Sequence, residues 1–136
     1  MRIALVFASA GSSGTLSTYA ASVAKGMEAM GHRVDVLNAS DAEGTRLPGY
    51  EYVVVLSESA SFFGGKIPAS VSKLLATASS LVGKKSAAFL RGSGPFSGKA
   101  LSVLMRAMEK EGMCVNWSEL VTSPAMAEAA AKRIGS

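Results

Sequence analysis

Ser9, Gly11, Ser12, Ser13, Gly14 and Thr15 crowd into one short stretch, "SAGSSGT", between an apolar run and a helix-like pattern. Their hydroxyls donate hydrogen bonds. Their glycines let a backbone curl and bring its N–H groups close to a ligand. Where such a stretch runs into a helix, the open N–H groups and the helix dipole both favour negative charge. The chemistry on offer is anion binding by neutral donors, which suits a phosphate monoester. The stretch has no lysine, so it is not a Gly-Lys-Ser/Thr nucleotide loop, nor is it G-x-G-x-x-G. The plainer reading is a strand-to-helix turn with Ser or Thr as N-cap. The elements around the stretch decide between the two.

Ile3 to Ala8 is a continuous apolar run, which predicts a strand buried on both faces. After the small-residue stretch, Leu16, Tyr19, Val23, Met27 and Met30 recur near helical spacing, and Gly31 stands where a C-cap glycine belongs. "RVDVLNA" alternates and predicts a second strand, and "SDAEGTRLPGYE" a loop. "YEYVVVLSES" predicts strand three. A helix is expected from Pro68 to Leu81, closed by Gly83. "KKSAAFLRG" predicts strand four, Lys99 to Glu111 a helix closed by Gly112, and "MCVNWSELV" strand five. Ser123 and Pro124 open a last helix as N-cap and first helical residue.

Strands alternating with helices imply a parallel sheet covered on both faces. With right-handed crossovers, five strands give an α/β three-layer doubly wound sandwich of order 2-1-3-4-5. The 136 residues fit one domain, 1–136. Ligands bind such sheets outside the carboxyl ends of the strands, where the strand order reverses. The loops there are "SAGSSGT", "SESASFFGGK" after strand three and "RGSGPFSGK" after strand four. All three are rich in Ser and Gly. The turns at the other end, "MGH", "VGKK" and "KEGM", are not. That shared position favours the anion-binding reading.

These segments resemble the flavodoxin family. "LVFASAGSSGTLSTYAASVA" looks like the family's first strand, FMN-phosphate loop and helix. "SESASFFGGKIPASVSKLL" is similar to the loop that related flavoproteins and quinone reductases place beside the isoalloxazine ring, with Gly64-Gly65 and Pro68 in place. "GKKSAAFLRGSGPFSGKALSVLM" resembles their fourth strand, loop and helix. The resemblance implies FMN as cofactor. Its phosphate would lie on Ser9, Gly11, Ser12, Ser13, Gly14 and Thr15. Its ring would lie among Ser59, Phe62, Phe63, Gly64, Arg91, Gly92, Ser93 and Phe96. The implied function is electron transfer with a redox partner protein or a small electron acceptor. The alternatives are a flavodoxin-like binding module that has lost FMN, and a small FMN-dependent NAD(P)H:quinone-type oxidoreductase working as a homodimer.

Two departures keep the alternatives open. Alignment on Ala20 puts Leu16 where the family's Thr belongs, and the ring-contacting loops carry Phe in place of Trp or Tyr. Among single residues, Phe62, Phe63 and Phe96 are expected either to cover the sheet end or to pack on the ring. Arg91 is expected to be solvated, paired with Glu58, or placed to stabilise an anionic reduced flavin. Glu58 is expected as a surface charge before an acceptor for the flavin N3–H that the resemblance implies, and Lys66 and Lys99 as solvated lysines before contacts to a phosphate-bearing partner such as NADPH. His32 reads as structural, Cys114 as a buried packing thiol, and the methionines at 105, 108 and 113 as core.

Composition narrows the class. Apolar residues make up 49%, which argues against disorder. No apolar run reaches membrane-spanning length. One cysteine excludes an internal disulfide and a Cys-based metal site, and points to the cytoplasm. The net charge of +4 is scattered and not clustered with aromatics, so nucleic acid is not the expected partner. A response-regulator receiver needs an acidic pair after strand one and Asp after strand three. Ala8-Ser9 and Ser57-Glu58 stand there instead.

Overall fold

A computed structural model of the chain describes residues 1–9, 15–40, 47–58, 67–77, 81–92 and 97–134. The elements follow in the expected order: β1 (Arg2–Ala8), α1 (Thr15–Ala29), β2 (Arg33–Asn38), β3 (Tyr52–Glu58), α2 (Ala69–Thr77), β4 (Lys85–Arg91), α3 (Ser97–Lys110), β5 (Cys114–Val121) and α4 (Pro124–Ala131). A short 3-10 turn at Leu47–Gly49 lies within the segment read as loop. The sheet is parallel throughout, in the order β2-β1-β3-β4-β5.

The continuous apolar runs are explained by two cores, one on each face. Alternate residues of a strand point to opposite faces, so a strand covered on both sides has no polar positions to spare. Ile3 and Leu5 of β1, Val54 and Leu56 of β3, and Phe89 of β4 pack under α1 and α4. Ala4 and Val6, Val53 and Val55, and Ala88 face α2 and α3. Phe89 is fully buried, a burial worth about 2–3 kcal/mol. β2, at the edge, is only half covered, and Val36 is exposed.

Helix ends obey local chemistry. Gly31 and Gly112 close α1 and α3 with φ of 88° and 85°, a region open to glycine and costly for other residues. The Ser123 Oγ accepts from the Met126 N–H at 3.1 Å, and Pro124 supplies the first helical residue. Two helical positions differ from expectation. Met30 falls after the end of α1 and is 51% exposed, because the closing turn carries it off the buried stripe. α2 is described as a helix from Ala69 to Thr77, and the remainder of the expected helix before Leu81 lies outside the described residues.

Candidate functional site at the carboxyl edge of the sheet

β1 and β3 run side by side to their carboxyl ends, where Ala8 pairs with Ser57. From there the chain leaves to opposite sides. α1 packs on one face and α2 on the other. This divergence makes the two strand ends the topological switch point, the position at which doubly wound sheets take ligands. Ser9 follows β1 directly and is half-buried, and Thr15 opens α1 and is exposed.

The electrostatics of this edge suit an anion. A helix that follows a strand in a parallel sheet starts at the strand's carboxyl end, so all four helix N-termini lie here. None of α1, α2, α3 or α4 has an acidic residue in its first turn. The positive ends of the dipoles are therefore not neutralised by their own helices. Lys99, in the first turn of α3, is exposed.

Glu58 and Arg91 end β3 and β4 and are register partners. Arg91 Nη1 donates to Glu58 Oε2 at 3.0 Å. Glu58 is 8% exposed, contrary to its expectation as a surface charge. Strand alternation explains this, because Glu58 follows Val54 and Leu56 on the face beneath α1. A carboxylate taken there requires a partner, and Arg91 supplies it. The guanidinium carbon also lies 5.4 Å from the centre of the Tyr19 ring, within cation–π range. Tyr19 was legible only as a core position of α1. Its aromatic identity, one turn into the helix after the Ser/Gly stretch, was the signal available. Arg91 Nε is buried and meets no acceptor among the described residues.

Gly92 follows the pair and donates its N–H to Val121 at 3.1 Å. A Cβ on Gly92 would lie 2.5 Å from Ser97 Oγ, so the chain passes close against the start of α3. Ser9, Thr15, Arg91 and Gly92 thus lie at the edge where the sequence puts them. Gly11, Ser12, Ser13, Gly14, Ser59, Phe62, Phe63, Gly64, Ser93 and Phe96 lie outside the described residues, as does Lys66. Among the described residues no cluster of His, Cys, Asp and Glu is fit to hold a metal ion.

Residues away from this edge divide. His32 is structural, its ring nitrogens within 3.0 Å of the Met1 amino group and 3.1 Å of the Ile134 carbonyl. Met108 and Met113 are core, with Met105 packed against them at the margin. Cys114 is exposed, not buried, as the first residue of the edge strand β5. No described helix is long and apolar enough to cross a membrane.

No family model and no curated protein matches the sequence. Solved structures do match. Oxidised flavodoxin 1 from Bacillus cereus is 19% identical, with 99% of this chain and 95% of that chain covered at a TM-score of 0.74. A flavodoxin from the domain Archaea is 22% identical, with coverage of 99% and 94% and a TM-score of 0.72. The flavodoxin of Streptococcus pneumoniae TIGR4 is 16% identical, with coverage of 98% and 94% and a TM-score of 0.76. The chain has the flavodoxin-like fold over nearly its whole length.

Proposed function

We propose that this chain binds FMN at the carboxyl edge of its sheet and serves as an electron carrier. The observation that carries the reading is the switch point at the carboxyl ends of β1 and β3, where the helices start with no carboxylate in their first turns. The likeness of the whole chain to flavodoxins supports it. The described residues fit such a group. Thr15 is exposed at the start of α1, and Arg91 Nε is a buried donor with no acceptor among the described residues.

In this reading Ser9, Gly11, Ser12, Ser13, Gly14 and Thr15 hold the phosphate through backbone N–H groups and hydroxyls. Ser59, Phe62, Phe63, Gly64, Gly92, Ser93 and Phe96 line the ring's place and shield it from water. FMN, when bound, supplies the ability to accept and release electrons. Arg91, anchored by Glu58, brings a guanidinium to this edge. There it favours negative charge accumulated on reduction, with its effect tempered by the paired carboxylate. With a net charge of +4, the chain docks best on an electron donor or acceptor protein with an acidic face, and a small acceptor is equally served. The exposed Cys114 thiol suits a reducing cytoplasm.

Titration of the FMN-free protein with FMN, followed by quenching of flavin fluorescence, tests the proposal. Submicromolar binding is expected. Thr15→Ala, or Ser12 and Ser13 replaced together by Ala, should weaken it about tenfold or more, the scale of hydrogen bonds to a charged group. Absence of quenching would mean that the fold is kept without the flavin. Rapid NADPH oxidation by the loaded protein would place it among oxidoreductases and not carriers.

A further inference from the structure

The sheet carries a second concavity at its amino end. Tyr52 opens β3 and Lys85 opens β4. These strands are 7 residues long, so this end lies roughly 20 Å from Glu58 and Arg91. β5 is irregular here. Ser86 pairs with Val115 and Ala87 with Trp117, so Asn116 is an extra residue with no partner on β4. Such a bulge re-aims side chains and is over-represented at sheet edges beside functional sites. It lets Asn116 reach the Tyr52 hydroxyl, which donates to the Asn116 Oδ1.

The result is a concavity of about 370 Å³ lined by Tyr52, Lys85, Asn116, Trp117, Arg133 and Ile134 together with Met1. Its size falls at the lower end of the ~300–1,000 Å³ usual for small-molecule sites. Its chemistry is one-sided. Lys85 and Arg133 are cations, and no carboxylate is among the described lining residues, although Glu119 holds Arg133 at 3.7 Å. The Asn116 carbonyl is engaged by Tyr52, which leaves its NH₂ to donate. The buried indole N–H of Trp117 has no acceptor among the described residues. Trp117 and Ile134 supply apolar wall. Donors and positive charge beside an indole and an aliphatic surface select an amphipathic anion.

We propose that this amino-end concavity is a binding site for a small organic acid, a carboxylate carried on a flat apolar body. Lys85 and Arg133 hold the carboxylate, Asn116 orients it, and the Trp117 and Ile134 surfaces cover the ring. The site is separate from the carboxyl edge and does not depend on flavin binding.

Trp117 is the chain's one tryptophan, so its emission reports on this site alone. The full chain, with and without FMN, is titrated with benzoate, inorganic phosphate and benzylamine. The expected result is a saturable change in Trp117 emission with benzoate at an affinity unaffected by FMN, which lowers the signal by energy transfer and not the binding. Benzylamine should give none, and phosphate should bind at least tenfold more weakly. Lys85→Gln with Arg133→Gln should weaken benzoate binding tenfold or more, with far-UV circular dichroism confirming the fold. Should the double variant not fold, the salt dependence of the unaltered chain decides, since binding held by these cations must weaken as salt rises. No saturable response to benzoate, equal binding of benzylamine or phosphate, unchanged affinity in the folded variant, or indifference to salt would each overturn the proposal.

Discussion

Glu58 and Arg91 are register partners at the ends of two central strands, joined at 3.0 Å, with the Glu58 side chain buried and the Arg91 side chain over a third exposed. The asymmetry decides what each contributes. Removing Arg91 takes the ion-pair partner from a buried carboxylate, whereas removing Glu58 leaves a cation that can turn to water. Arg91→Ala is therefore expected to destabilise the protein by about 2–3 kcal/mol and Glu58→Ala by about 1–2 kcal/mol. The double variant should cost less than the sum. Urea unfolding of the three variants checks this, and strictly additive costs would show that the pair is not coupled.

Most of the architecture was legible because periodicity and punctuation are local. The runs of β1 and β3 announce strands covered on both faces, and Gly31, Gly112 and Ser123-Pro124 mark helix ends by their own conformational preferences. The pairing of Glu58 with Arg91, 33 positions away, was among the expectations for two adjacent strand ends, but its burial was hidden, since nothing local says that α1 covers the face on which Glu58 lies as far as the strand's last residue. The bulge at Asn116 was equally hidden, since an extra residue in a strand appears only when its partner strand is known. Cys114 departs from cysteine's usual burial because it opens an edge strand most of whose residues are exposed or only partly covered. Of the candidate site, Ser9, Thr15, Arg91 and Gly92 lie at the edge where the topology puts them.

The contact between α1 and α4 depends on Gly26. A Cβ there would lie 2.3 Å from the Glu128 carbonyl oxygen and 2.9 Å from the Ala131 Cβ. Alanine would ordinarily strengthen a helix by about 1 kcal/mol over glycine. Here overpacking against a backbone atom, at about 1–3 kcal/mol or more, outweighs that gain. Gly26→Ala is expected to lower the thermal midpoint. A raised midpoint would mean that α4 moves away at no cost.

Ser123 caps α4 through its Oγ, 3.1 Å from the Met126 N–H. The helix has only 8 residues, so one unsatisfied N–H is a large share of its end effects. Ser123→Ala should cost about 1 kcal/mol and Ser123→Gly only a few tenths. Urea midpoints of the two variants check the order, and an equal cost for both would dismiss the cap as the cause.

Tyr52 links stability to pH. Burial pushes its phenol up to about 12 from an ordinary value of 10.0, since ionisation would strand a charge beneath α1 and α4. The unfolded chain releases this proton near pH 10 and the folded chain near 12. Between those values the unfolded state binds fewer protons, so stability falls as pH rises. Below pH 10 the contribution is fully present, and above 12 it is gone. Chemical unfolding between pH 9 and 12 should show this decline, and Tyr52→Phe should remove much of it. Tyr50 also ionises above its ordinary range, by burial and by donating to Asp35 at 2.8 Å, and accounts for a remainder. The variant leaves the Asn116 carbonyl without its donor, at a cost of about 1 kcal/mol below pH 10. A decline of undiminished slope in Tyr52→Phe would assign the pH dependence to other groups.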